Sequence, residues 1–211
     1  IGTVETRHNG KIIPTTLTTP ESKDLQEILA TMVDDKVTHV VLEVSSHSLV
    51  LDRIFGCEFD AAIFTNLSHD HLDFHKTMEE YFKAKLKLFE MLESGEKKAF
   101  AIVNADDPYG LRIKESIDSK VITYGIKSKA NSLAHEIKIK EEGLSFRLEA
   151  QKDIVQIATN LKGIQNVYNI LAAATCAFEF GVEASIVKKA ISLFKEVPGR
   201  FEEIECGQPY K

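Results

Sequence analysis

Three groups of residues carry side chains whose types and spacing suit chemistry. Glu43 stands inside the apolar run Val40–Val44. A carboxylate there is costly unless a lysine or metal ion pairs with it, or unless it sits at an exposed strand end. The segment Asn66-Leu67-Ser68-His69-Asp70-His71-Leu72-Asp73-Phe74-His75 crowds three histidines and two aspartates directly after another apolar run. Imidazole and carboxylate at that density suit a divalent cation, and a polar loop with incidental histidines is the plainer alternative. Lys85 is the third. At about 100° per residue, Met78, Tyr81, Phe82, Phe89 and Leu92 gather around one helix direction. Lys85 lies at the centre of that stripe, whereas Lys83 and Lys87 face the other way. Such a lysine snorkels out along its stem by default. Where it cannot, burial lowers its pKa and favours the neutral amine, the form that adds carbon dioxide to give a carbamate. A cation then becomes a carboxylate-like metal ligand.

These residues need elements to position them. A helix is expected from Thr19 as cap and Pro20 as first helical residue through Leu25, Ile28, Leu29, Met32 and Val33. Thr38–Val44, Asp60–Asn66, Ala99–Asn104 and Val121–Gly125 read as short buried strands, with a helix over Met78–Glu93 and another opened by Asp106-Asp107-Pro108. Strands alternating with helices predict an α/β fold with a mostly parallel sheet flanked by helices. After Lys127 the pattern changes. His135–Lys140, Leu144–Ala150 and Ile154–Thr159 alternate as antiparallel strands, with Glu142-Gly143 as a hairpin turn, which predicts a small antiparallel β insert at about 133–159. Helices over Asn166–Phe180 and Ala184–Phe194 follow, then a hinge at Val197-Pro198-Gly199-Arg200.

Composition narrows the classes. The 211 residues are 44 % apolar and 27 % charged, ordinary for one globular domain or one with a small satellite. A net charge of −6 offers no basic footprint for nucleic acid or anionic membrane, and no apolar run is long enough for a membrane span. Cys57, Cys176 and Cys206 are too scattered for a disulfide framework or a zinc pair, which fits a reducing cytoplasm. The chain opens on Ile1-Gly2-Thr3-Val4, which reads as mid-strand, and closes just after an apparent strand start at Phe201–Ile204. A piece of a longer protein is therefore expected. The phosphate-loop pattern G-x-x-x-x-G-K-[ST] occurs nowhere in it, since Gly10-Lys11 is followed by Ile12 and preceded by Glu5 at the first glycine's place.

Six ordered motifs carry a resemblance. They are Thr15-Thr16-Leu17-Thr18-Thr19-Pro20-Glu21, Glu43-Val44-Ser45-Ser46-His47, Thr65–Asp73, Tyr81-Phe82-Lys83-Ala84-Lys85, Gly163–Asn169 and Pro198-Gly199-Arg200-Phe201-Glu202. In this order, along essentially the whole chain, they are similar to the Mur ligase family. The resemblance implies a phosphate-loop-NTPase-like central domain over 1–197 whose own loop lies upstream, with 198–211 as linker and start of a C-terminal domain. It implies ATP-dependent amide-bond formation in peptidoglycan precursor synthesis, in the branch that adds meso-diaminopimelate or L-lysine to UDP-N-acetylmuramoyl-L-alanyl-D-glutamate. The substrate carboxylate would take the γ-phosphate of ATP to form an acyl phosphate, and the incoming amine would displace it, with Mg2+ assisting. These 211 residues alone are expected to be inactive.

Residue by residue, the resemblance makes Glu43 a magnesium ligand, His71 the histidine of a second magnesium site, and Lys85 a carbamylated lysine. Thr18, Thr19, Ser45 and Arg53 match contacts to the UDP-muramoyl dipeptide. Asn169 and Arg200 match residues near adenine and phosphates, with Asn166 beside them. Leu51 and Leu17 depart from the pattern, standing where some members place a substrate-binding glutamine and an asparagine. His69 matches a variable position and reads as loop. The family also implies a monomer. Two other readings compete: a folylpolyglutamate synthase-like ligase, and a metal-dependent hydrolase built on His69, His71, Asp73 and His75.

Overall fold

The computed structural model describes residues 1–14, 16–95, 97–150, 153–194 and 206–207. In chain order the elements are β1 (Thr6–His8), β2 (Lys11–Ile13), α1 (Ser22–Asp34), α2 (Ser46–Val50), β3 (Ala61–Phe64), α3 (Leu72–His75), α4 (Met78–Ser94), β4 (Phe100–Asn104) and α5 (Pro108–Ser116). Then come β5 (Lys120–Gly125), β6 (Ser132–Lys140), β7 (Gly143–Ala150), β8 (Asp153–Thr159), α6 (Ile164–Glu179) and α7 (Ala184–Leu193). They divide into two compact units, one of residues 1–60 and 68–98, the other of residues 61–67 and 99–211.

The second unit is built on one six-stranded sheet in the order β3-β4-β5-β6-β7-β8. β3 to β6 pair in parallel, and β6 to β8 are antiparallel. The expected insert therefore continues the main sheet. Its two halves follow different burial rules. Every residue of β4 is buried, as a strand covered on both faces requires, whereas β8 alternates, with Val155, Ile157 and Thr159 inward and Ile154, Gln156 and Ala158 outward. Ile102, Ile122, Tyr124, Phe146, Leu148 and Ile157 make the core with Val167 and Leu171 of α6 and Val187 of α7. Asp107 caps α5 by accepting from the Tyr109 N–H at 2.8 Å, with Pro108 opening the helix. The hairpin turn lies at Glu141-Glu142, one residue before its expected place. Gly143 is already in β7 at φ 144°, where a Cβ would fall 2.1 Å from the Thr159 carbonyl oxygen.

The first unit packs α1, α2 and α4 around Leu25, Leu49 and Ile54, with Leu29, Leu42, Val44, Leu88 and Met91 against them. The β1–β2 hairpin turns through Asn9-Gly10, both at positive φ. Thr77 caps α4 by accepting from the Glu80 N–H.

Three expectations in this unit need correction. Thr38–Val44 is not a buried strand. It is irregular chain, with Val41 84 % exposed, and among the described residues its backbone-to-backbone bonds run to Ile1: the Ile1 ammonium donates to the Val41 carbonyl, and the Glu43 N–H donates to that of Ile1. β-branched residues favour extended backbone, but a sheet strand also needs a ladder. Alternation still operates: Leu42 and Val44 turn inward, and Val41 and Glu43 outward. Ile1–Val4 is likewise not strand. Helix α1 starts at Ser22 behind Glu21 rather than at Pro20, because the Thr19 hydroxyl is engaged elsewhere. The expected hinge at 197–200 and strand start at 201–204 lie outside the described residues.

Candidate functional site

Glu43 leaves the apolar side of its extended run and meets Thr3. The Thr3 N–H and hydroxyl both donate to Glu43 Oε2 at 2.9 Å, and the same hydroxyl lies 3.0 Å from that of Thr18. Both contacts fall on Oε2, so Oε1 keeps its lone pairs free among the described residues. Thr19 fixes the backbone on either side: its hydroxyl donates to the Glu43 carbonyl at 2.8 Å and accepts from the Ser45 N–H at 3.0 Å. Ser45 then caps α2 through the Ser48 N–H. Thr18, Thr19, Glu43 and Ser45, all singled out from the sequence, thus form one connected group.

Arg53 joins them. Its side chain is largely buried, donating to the Thr19 carbonyl at 3.3 Å and pairing with Glu21 at 2.8 Å. Its Nε is buried without a partner among the described residues, a donor that a bound ligand can use.

The histidine segment separates by role. His71 precedes α3 in the left-handed conformation, φ 54°, its N–H donating to Asp70. Its exposed ring stands edge-on to Tyr81, centroids 5.8 Å apart, and 5.2 Å from His47. His75 is buried, 2.8 Å from the Ser46 hydroxyl and stacked on Tyr81. Burial, helped by positive charge on His47, His71 and Lys85, lowers its pKa. His69 and Asp73 are exposed. Among the described residues no three His, Cys, Asp or Glu side chains converge as metal ligands, so the hydrolase constellation does not assemble.

Lys85 lies one helical turn beyond Tyr81, its Nζ 5.3 Å from that ring's centroid, and it is half-buried while Lys83 and Lys87 are exposed. Burial holds its pKa below the ordinary lysine value, with the negative charge of Glu43 opposing. Tyr81 therefore touches both Lys85 and His71. Sequence patterning gave no sign of Thr3, Ser46, His47 or Tyr81 as site residues.

In the second unit, Asn166 donates to the Lys162 carbonyl at 2.7 Å and accepts from Asn169 Nδ2 at 3.2 Å. Arg200 lies outside the described residues. Leu17 and Leu51 are exposed, offering apolar surface where an amide was the alternative.

The fold has solved counterparts. A structure of UDP-N-acetylmuramoyl-L-alanyl-D-glutamate–2,6-diaminopimelate ligase superposes with a TM-score of 0.80 at 28 % identity, covering 92 % of this chain and 41 % of that one. Residues 1–177 match the Mur ligase middle domain, and the chain belongs to that family. Enzymes of the same ligase name from Caldanaerobacter subterraneus subsp. tengcongensis and Geobacillus thermodenitrificans are 47 % and 41 % identical to it over its full length. The chain spans 42 % and 44 % of those relatives' lengths.

Proposed function

We propose that this chain is the central domain, over about 1–197, of a cytoplasmic, monomeric ligase that spends ATP to join 2,6-diaminopimelate to UDP-N-acetylmuramoyl-L-alanyl-D-glutamate. The observation that carries the reading is Lys85: a lysine held in an apolar stripe over Tyr81, a ring that His71 also meets, with its pKa lowered by burial against the opposing charge of Glu43. The names of the relatives support the substrates.

The donor chemistry fits a hard divalent cation on one condition. Glu43 offers free carboxylate lone pairs and His71 an exposed imidazole, but an ammonium cannot ligate. As a neutral amine, Lys85 forms a carbon–nitrogen bond to carbon dioxide and loses one proton to solvent, which gives an anionic oxygen donor that would serve the second site with His71, apart from the magnesium that Glu43 would hold. Magnesium bound there would offset charge between the γ-phosphate of ATP and the substrate carboxylate. Thr18, Thr19, Ser45 and Arg53 would bind the sugar-peptide, the free Arg53 Nε taking a phosphate or carboxylate oxygen. Asn169 and Asn166, with Arg200, would face the nucleotide.

The test is phosphate release and tripeptide formation by the full-length protein, supplied with ATP, magnesium, UDP-muramoyl dipeptide and 2,6-diaminopimelate. Ligation dependent on all four is expected. Phosphate release without tripeptide would overturn the reading. The 211 residues alone, which contain no G-x-x-x-x-G-K-[ST] pattern, should remain at background.

A further inference from the structure

One half-buried network in the second unit is unused by this chemistry. Asp106 follows β4 directly, and its carboxylate accepts N–H bonds from Ile126 at 2.7 Å, Lys127 at 3.0 Å and Ser128 at 2.6 Å, the three residues after β5. The Tyr168 hydroxyl donates to the same carboxylate at 2.9 Å. Asn104, at the end of β4, donates to the Thr65 carbonyl just past β3 and accepts from the Asp106 N–H. The carboxyl ends of three parallel strands are thereby tied together, and Tyr168 ties the first turns of α6 to them. Ligands of open α/β sheets bind beyond that edge. Tyr168 sits between Asn166, which donates to the Lys162 carbonyl, and Asn169, which donates to the Asn166 side chain and keeps its own side-chain Oδ1 free among the described residues.

We propose that Asp106 and Tyr168 are positioning residues for the nucleotide: their bond sets the angle and depth at which α6 presents Asn166 and Asn169 at the strand-end rim. The inference rests on the ligase reading, which makes these asparagines nucleotide contacts. Partial burial pushes the carboxylate pKa up, but the N–H groups it accepts from outweigh that and lower it to about 2, so the clamp persists across the physiological range. Tyr168, pushed up to about 12 by burial and by Asp106, keeps its proton to donate.

The experiment compares Tyr168→Phe and Asp106→Asn with the unmodified full-length protein, measuring kcat, KM for ATP, KM for the UDP-muramoyl dipeptide and the thermal midpoint. Tyr168→Phe should raise KM for ATP by about tenfold, leaving kcat and the dipeptide KM within about twofold. Asp106→Asn should act in the same direction and more strongly, because it also releases residues 126–128. Unchanged KM for ATP in Tyr168→Phe would overturn the clamp while the ligase reading stands. So would a lower thermal midpoint and kcat with KM unmoved, the mark of a structural role alone. An unmodified protein without ligase activity would defeat the reading, and the clamp with it.

Discussion

Asp106 and Glu43 are both carboxylates at the ends of extended segments, yet their surroundings are opposite. Asp106 is saturated: three backbone N–H groups and a phenol converge on it, and its pKa falls to about 2. Among the described residues the Glu43 carboxylate meets Thr3 alone, on one oxygen, and stays exposed. A carboxylate whose lone pairs are all engaged organises the chain around it, and one with lone pairs to spare is available to a ligand. Lys85 completes the contrast. Burial weakens its charge, and among the described residues no ion pair holds it, which leaves its amine open to chemistry.

Lys85→Ala in the full-length protein is the largest perturbation of that contrast. It should cost about 10²–10³ in turnover, with partial recovery on adding short carboxylates that fill the space. Lys85→Arg should not recover, since guanidinium stays cationic. Glu43→Ala and His71→Ala should each lower turnover by about 10–100-fold, with fold intact by circular dichroism and a raised magnesium requirement. Near-normal rates for both across a magnesium series would show that neither is a ligand. Arg53→Ala should act on binding, raising KM for the sugar-peptide about tenfold with little change in kcat.

The smallest effect probes the saturated side. The Asp106 pKa is depressed from 3.8 to about 2 in the folded chain. Its ionisation therefore stabilises the fold above the unfolded value and ceases to do so as pH falls through the folded value. Denaturant unfolding should show a stability gap between wild type and Asp106→Asn at neutral pH that narrows as pH falls from 4 towards 2. A gap independent of pH would mean that the carboxylate charge plays no part.

The same contrast explains what the sequence revealed. β4 to β8, α5 and α6 were legible because burial imposes apolar runs, period-two alternation or helical stripes, and caps such as Asp107 mark where helices start. The Lys85 stripe was legible for the same reason. Thr38–Val44 misled because an apolar β-branched run signals extended backbone, while its pairing depends on distant chain. The Asn9-Gly10 turn had its signal, but the three-residue strands beside it are too short to show alternation. Thr3 and Tyr81 were invisible as site residues: one lies 40 positions from Glu43, and the other reads as ordinary core until its ring is seen between His71 and Lys85. Glu43 and His71 sit in irregular segments, where spacing has no period to read, and only the resemblance singled out their roles.

Carbon-13 NMR of the full-length protein in labelled bicarbonate addresses Lys85 most directly. A carbamate resonance should appear in the wild type, disappear on bicarbonate removal together with activity, and be absent from Lys85→Arg. Identical spectra for wild type and Lys85→Arg, with wild-type turnover indifferent to bicarbonate, would contradict it and leave Lys85 a snorkelling lysine.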